Sequence, residues 1–127
     1  MARPSPAVLI VDDSLGVSTA MSMMLEEEGF TVEMAHTYER ALETAIQGYF
    51  DLLIIDVHLG PESGVALAQE IVHKHLSCKM ILTSGLLDLS AEFDRHPDLR
   101  NLPVLMKPFG RKGLLDCVHR TLDEAAA

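Results

Sequence analysis

The chain has 127 residues, of which 48% are hydrophobic and 23% charged, and its formal net charge at pH 7 is −9. This length fits one domain of about 100–150 residues, and the apolar content excludes a disordered chain because it is enough to build a core. The 19 acidic residues against 10 basic ones argue against direct nucleic-acid binding, which depends on Lys and Arg neutralising phosphates.

Signals for secretion or a membrane are not visible in the sequence. No apolar run approaches the roughly 20 residues of a membrane span, and Met1 to Pro6 lacks the apolar core of a signal peptide. Cys78 and Cys117 are too few and too far apart for a disulfide scaffold or a zinc site, and we expect both to be free and buried. We therefore expect a cytoplasmic protein without membrane contact, with one domain at residues 7–123 and short tails at 1–6 and 124–127.

Strand-like and helix-like segments alternate along the chain. Short apolar runs predict buried strands at 7–11, 30–35, 52–55, 80–82 and 103–106. Segments with helical periodicity or capping signals follow each run and begin at about residues 15, 38, 64, 90 and 111. Strands that are apolar on both faces and alternate with helices indicate an α/β fold, a doubly wound five-stranded parallel sheet with helices on both faces.

Capping residues predict where individual helices begin and end. Asp13 and Ser14 are both candidate N-caps of the first helix, which is expected to run to about Glu28 and to end at Gly29. In the fourth helical segment Ser90 is a candidate cap. Pro97 should end that helix, because proline has no N–H and clashes inside a helix.

Polar side chains stand where the central strands end. They are Asp12 and Asp13 after the first strand, Asp56 after the third, Ser84 after the fourth and Lys107 after the fifth. In parallel α/β sheets, ligands bind at the carboxyl ends of the strands. We therefore expect these five side chains to converge on one shallow site.

Clustered carboxylates and a lysine favour a particular chemistry. Three carboxylates repel one another and need a proton or a cation at neutral pH. Oxygen donors with room for water favour Mg²⁺ over zinc, and a lysine nearby offsets charge and can pair with an anion. This set suits transfer of a phosphoryl group to a carboxylate, because the cation and the ammonium neutralise the charge on the transferred oxygens. The hydroxyl of Ser84 can then hydrogen-bond a phosphoryl oxygen.

The chain resembles the response-regulator receiver family of two-component signalling from about Ala7 to Leu122. Four motifs carry the resemblance, in order and at the strand ends: Val11-Asp12-Asp13-Ser14, Ile55-Asp56, Thr83-Ser84-Gly85 and Lys107-Pro108-Phe109. The resemblance implies a flavodoxin-like fold with strand order 2-1-3-4-5. It also implies a peptide bond before Pro108 that is often cis.

The resemblance further implies roles for individual residues. Asp56 would accept a phosphoryl group from a histidine kinase or a histidine phosphotransfer protein, with Lys107 and Ser84 beside it. Mg²⁺ would be bound by Asp13, Asp56 and the backbone carbonyl of His58, with Asp12 acting through water. Slow self-dephosphorylation is compatible with this interpretation, but we do not expect the chain to be an enzyme.

The sequence departs from the family pattern at three places. Val104 stands where the family has an aromatic residue, three positions before the lysine. Gly60, followed by Pro61, stands where a proline is frequent, four residues after Asp56. The segment 86–101 is predicted to form an unusual partner surface through Leu86, Leu87, Leu89 and Phe93. These departures bear on the output mechanism rather than on the phosphoryl chemistry.

Other functions remain open from the sequence. The main alternative is a pseudo-receiver that acts only as a protein-interaction module. A flavodoxin-type flavin binder is disfavoured because Asp12 and Asp13 would repel the flavin phosphate, and a phosphatase with an aspartyl-phosphate intermediate would need a cap domain. We expect output through a downstream protein partner or an output domain missing from this chain. Homodimerisation through the last strand and its flanking helices is a further alternative.

Overall fold

The computed structural model describes residues 5–85 and 88–126, with side chains up to residue 123. Its main feature is a parallel five-stranded sheet. The strands are β1 (Ala7–Val11), β2 (Thr31–Ala35), β3 (Leu52–Asp56), β6 (Lys79–Ser84) and β7 (Val104–Met106), and a small hairpin adds β4 (His58–Leu59) and β5 (Glu62–Ser63). The sheet order is β2-β1-β3-β6-β7. Because the hairpin is a separate sheet, this order is the predicted 2-1-3-4-5 of a flavodoxin-like fold.

Helices connect the strands and cover both faces of the sheet, as predicted. They are α1 (Leu15–Glu27), α2 (Tyr38–Gln47), α3 (Gly64–His73), α4 (Ser90–Arg95) and α5 (Arg111–Ala126), with a 3₁₀ turn at Pro97–Leu99. In the described part of the chain no helix has both the length and the apolar character that a membrane span requires.

The core forms two apolar layers, because successive residues of a buried strand point to opposite faces. Leu53 and Ile55 of β3 belong to the layer packed beneath α2 and α3, whereas Leu52 and Ile54 belong to the layer beneath α1 and α5. Val104, at the position where the family has an aromatic residue, is half-buried against the first layer. A sheet buried on both sides leaves its strand ends as the place where polar groups can gather.

Ser14, and not Asp13, is the N-cap of α1. The Ser14 hydroxyl accepts a hydrogen bond from the backbone N–H of Val17 at 3.3 Å, which leaves Asp13 free for another contact. The helix ends at Glu27, and Gly29 follows with φ +95°, a left-handed conformation that glycine adopts at low cost.

The prediction for the fourth helical segment was wrong at the start of the helix. Ser90 is the first residue of α4 rather than its cap, and Asp88 Oδ1 accepts the hydrogen bond from the Ser90 backbone N–H at 2.9 Å. Leu89 is buried, whereas Phe93 packs against the core and is partly exposed, so the partner surface stays a prediction. Leu86 and Leu87, also predicted for that surface, lie outside the described residues. The helix does end before Pro97.

Smaller differences concern segment ends and one cysteine. Phe30 precedes β2 and is buried in the core rather than being its first strand residue. The helix α5 continues to Ala126, past the boundary expected at residue 123. Both cysteines are free, with Cys117 buried and Cys78 only partly so.

Candidate functional site

Two acidic residues lie side by side at the carboxyl ends of neighbouring strands. Val11 of β1 pairs in register with Ile55 of β3, so the next residues, Asp12 and Asp56, stand level with each other. Both are buried, with 1% and 5% of their surface exposed, whereas Asp13 is exposed at the rim. One carboxylate oxygen from each of Asp12, Asp13 and Asp56 lies within 4.8 Å of the other two. The structure therefore brings the three predicted acids together.

A single ammonium group bridges the two buried carboxylates. Lys107 Nζ donates hydrogen bonds to Asp12 Oδ2 at 3.0 Å and to Asp56 Oδ2 at 3.1 Å. The backbone N–H of Lys107 donates to the Ser84 carbonyl at 2.7 Å, and the bond between Lys107 and Pro108 is cis, as the family resemblance implies. The lysine from the last strand thus completes the site, and it offsets only one of the three negative charges.

Backbone N–H groups fix the orientation of each carboxylate. Asp12 Oδ1 accepts from the N–H of Ser14 at 2.8 Å, and Asp56 Oδ1 accepts from the N–H of His58 at 3.1 Å. Asp13 Oδ2 accepts from the N–H of Gly60, 47 residues away, at 2.9 Å. The loop after β3, where glycine replaces the family's frequent proline, is therefore tied to the acid pair after β1.

The electrostatics of the buried pair follow from burial and from charge. Burial raises the pKa of Asp56, and the neighbouring charge of Asp12 raises it further. The hydrogen bonds from His58 and Lys107 oppose this rise without cancelling it. Burial acts to lower the pKa of Lys107, but its bonds to Asp12 and Asp56 outweigh burial and raise it. The lysine is thus firmly charged, while ionised Asp56 is stabilised by any further cation.

Ser84 lies fully buried at the end of β6, next to the acids in the sheet. Asp56 pairs in register with Thr83, so Ser84 stands one residue further along the strand. His58 is exposed and begins the hairpin; its N–H contacts Asp56, and the role of its carbonyl stays a prediction.

Two residues that sequence reasoning did not assign support the site. Gly64, the first residue of α3, packs so closely on β3 that a Cβ atom there would lie 1.8 Å from the Asp56 carbonyl oxygen. His36 follows β2, and its Nδ1 lies 3.0 Å from the Asp12 carbonyl oxygen. Both contacts join segments distant in sequence, and local pattern gave no signal for them beyond a glycine at a helix start.

This fold agrees with what comparison with known proteins finds. Residues 8–119 match the family model of the response regulator receiver domain, and the chain belongs to that family. A solved receiver domain protein from Methanospirillum hungatei JF-1, described as CheY-like, superposes with a TM-score of 0.88 at 26% identity and covers 96% of this chain and 97% of its own.

Two curated relatives come from longer regulators. The transcriptional regulatory protein CpxR of Escherichia coli (strain K12) is 30% identical over 117 residues, which are 91% of this chain and 48% of that protein. The regulatory protein VanR of Enterococcus faecium is 34% identical over 79 residues, 62% of this chain and 34% of that protein. The chain thus spans about a third to a half of the length of these relatives.

Proposed function

We propose that this chain is a phosphorylation-dependent signalling switch whose phosphoacceptor is the carboxylate of Asp56. The observation that carries the proposal is the bridge of Lys107 to Asp12 and Asp56, with Asp13 completing a three-carboxylate cluster. A buried carboxylate held between a cation and other acids is a nucleophile whose charge is only partly neutralised. Such a site gains from a divalent ion, which neutralises charge on the carboxylates and on the oxygens of an incoming phosphoryl group.

The donor set fits Mg²⁺. Three carboxylate oxygens within 4.8 Å of one another are hard ligands, and the exposed position of Asp13 leaves room for the waters that Mg²⁺ retains. Asp13, Asp56 and the backbone carbonyl of His58 would bind the ion directly, with Asp12 acting through water. The ion would supply positive charge, in addition to that of Lys107, for the oxygens of a phosphoryl group that approaches the nucleophile.

Phosphoryl transfer here needs positioning more than covalent help from the protein. An oxygen of Asp56 forms the new O–P bond while the N–P bond of a phosphohistidine breaks, and the donor imidazole keeps the electron pair. The N–H of His58 holds Asp56 Oδ1 in place, and Lys107 can move its hydrogen bond from the carboxylate to a phosphoryl oxygen. The donor is a histidine kinase or a histidine phosphotransfer protein.

The output follows from the new charge on Asp56. A phosphoryl group adds acceptor oxygens and negative charge beside buried Ser84. The Ser84 hydroxyl can hydrogen-bond a phosphoryl oxygen, and movement of this hydroxyl and its loop towards that oxygen changes the surface of the chain. In the family an aromatic residue stands at the position of Val104. Because this chain has the half-buried valine there, no aromatic ring at this position takes part in the movement. The changed surface acts on a downstream protein or on a further domain of a longer regulator.

Intact mass after incubation with a small acyl phosphate and Mg²⁺ tests the proposal. We expect the wild-type chain to gain the mass of one phosphoryl group, and Asp56→Asn to gain none. Asp116→Asn, which alters an exposed acid of α5, serves as the matched control and should be modified like the wild type. A wild-type chain that stays unmodified would instead favour a module that acts only by protein interaction. An Asp56→Asn variant modified like the wild type would contradict the assignment of Asp56 as the phosphoacceptor.

A further inference from the structure

His36 makes an unassigned contact with the backbone of the acid pair. Its Nδ1 lies 3.0 Å from the carbonyl oxygen of Asp12, 24 residues away, and the side chain is half-buried. A carbonyl oxygen can only accept a hydrogen bond, so Nδ1 carries the hydrogen and donates it. A neutral His36 therefore has its other ring nitrogen, Nε2, without a hydrogen.

This contact extends the pairing of β1 with β2 beyond the last paired residues. Val11 pairs with Ala35, and the N–H of Asp12 still donates to the Ala35 carbonyl at 3.2 Å. The chain then leaves the sheet, because Thr37 is the N-cap of α2. The imidazole of His36 takes the place of the next backbone donor. It satisfies a carbonyl that lies at the buried end of the sheet, beside a cluster of negative charge.

The carbonyl of Asp12 belongs to the peptide group that joins Asp12 to Asp13. Its orientation sets the direction in which the backbone presents both acids. The carboxylates themselves are held by other groups, Asp12 by the N–H of Ser14 and Asp13 by the N–H of Gly60. We propose that His36 is a positioning residue whose Nδ1–H fixes this peptide and so preorganises two of the three carboxylates for a divalent cation. The inference rests on the proposed function.

The geometry distinguishes this role from direct metal ligation. Among the described His, Cys, Asp and Glu residues, the one group whose ligand atoms converge within 4.8 Å contains Asp12, Asp13 and Asp56, without His36. The Nδ1 nitrogen of His36 is already occupied by its hydrogen bond to the Asp12 carbonyl. His36 therefore acts on the cation through the peptide it holds, as an outer-shell partner of the ligands.

Two variants of the 127-residue chain separate the hydrogen bond from simple packing. In His36→Asn the amide nitrogen is attached to Cγ, as Nδ1 is, and can donate the same bond. In His36→Leu a methyl group takes that place and nothing donates. The probe is Mn²⁺, which binds the same hard oxygen ligands as Mg²⁺ and is counted by the electron paramagnetic resonance signal of the free ion.

We expect His36→Leu to weaken Mn²⁺ binding about tenfold or more, which is typical for loss of an outer-shell partner. His36→Asn should stay within about threefold of the wild type, and so should His73→Leu, which changes an exposed histidine of α3. Unchanged binding by His36→Leu would overturn the inference, as would equal weakening in the Asn and Leu variants. A wild-type chain that binds no Mn²⁺ would overturn the proposed function as well.

A measurement on the wild-type chain keeps the inference testable should His36→Leu fail to fold. Long-range ¹H–¹⁵N correlation spectra report which ring nitrogen of a histidine carries the hydrogen. We expect the Nδ1–H form for His36 in the metal-free chain. A spectrum that shows the Nε2–H form alone would contradict the hydrogen bond to Asp12 on which the inference depends.

Discussion

The Nζ atom of Lys107 lies 3.1 Å from Asp56 Oδ2, although 51 residues separate the two in sequence. The same ammonium also contacts Asp12 at 3.0 Å, so one side chain from the last strand joins the ends of the two central strands β1 and β3. This arrangement concentrates three acids around one base at the end of the sheet. This end of the sheet therefore carries an excess of negative charge, and several measurable properties follow from that excess.

Removal of the Lys107 charge should destabilise the metal-free protein at neutral pH. Lys107→Met leaves two buried carboxylates without their shared donor, and we expect a loss of about 1–3 kcal/mol in the free energy of unfolding, because the lysine is partly exposed. Urea unfolding with a chelator present measures this loss. Lys112→Met, which breaks an exposed pair with Asp116, should leave the stability nearly unchanged. Equal effects of the two substitutions would contradict the buried bridge.

Asp56→Asn should have the opposite effect on the metal-free protein. The pKa of Asp56 is raised in the folded state, chiefly by burial, so folding favours its protonated form. The wild type therefore loses stability as the pH rises through this raised pKa, and the Asn variant does not. We expect Asp56→Asn to be the more stable protein at about pH 7 and the difference to shrink as the pH falls towards the ordinary carboxyl pKa of 3.8.

Asp116 provides the control of opposite sign for this experiment. Its hydrogen bond with Lys112 lowers its pKa in the folded state, so the stability it adds is present at neutral pH and is lost on acidification. Asp116→Asn should therefore be slightly less stable than the wild type at neutral pH. Urea titrations of the three proteins at several pH values measure both trends. An Asp56→Asn variant less stable than the wild type throughout would contradict the assigned electrostatics.

Gly64 should tolerate no side chain. An alanine Cβ would lie 1.8 Å from the Asp56 carbonyl oxygen, so α3 or the end of β3 has to move, and we expect Gly64→Ala to lose about 3 kcal/mol or more. The matched control is Gly113→Ala in α5, where an added Cβ would lie 3.9 Å from its nearest neighbour and alanine should add up to about 1 kcal/mol through helix propensity. Chemical unfolding of both variants tests this contrast, and similar stabilities would refute it.

Replacement of His75 by glycine should stabilise the folded chain. It follows α3 with φ +55°, a left-handed conformation that costs a residue with a side chain about 1 kcal/mol. We expect His75→Gly to raise the free energy of unfolding by about 0.5–1 kcal/mol. His73→Gly, two residues earlier and inside the helix, should lower it by up to about 0.5 kcal/mol. Thermal unfolding of both variants measures the two signs, and a destabilised His75→Gly would show that the histidine side chain contributes there.

The sheet and most of the site could be predicted from the sequence because their signals are local. A buried strand is a short apolar run, and the carboxyl ends of parallel strands meet at one edge, so Asp12, Asp56 and Lys107 could be placed together. The start of α4 could not be predicted, because its N-cap is Leu89, a residue type that rarely caps helices, and the better capping residue Ser90 is the first residue of the helix. The contacts of Gly64 and His36 depend on how segments pack in three dimensions, which periodicity does not encode.

The most direct test of the central claim is to locate the phosphoryl group on the chain. Borohydride reduces an acyl phosphate to an alcohol, so a phosphorylated aspartate becomes homoserine, which peptide mass spectrometry can assign to one position. After incubation with an acyl phosphate and Mg²⁺, we predict homoserine at position 56 and at no other aspartate. Homoserine at position 12 or 13, or none in a chain that folds and binds the metal, would contradict the assignment of Asp56.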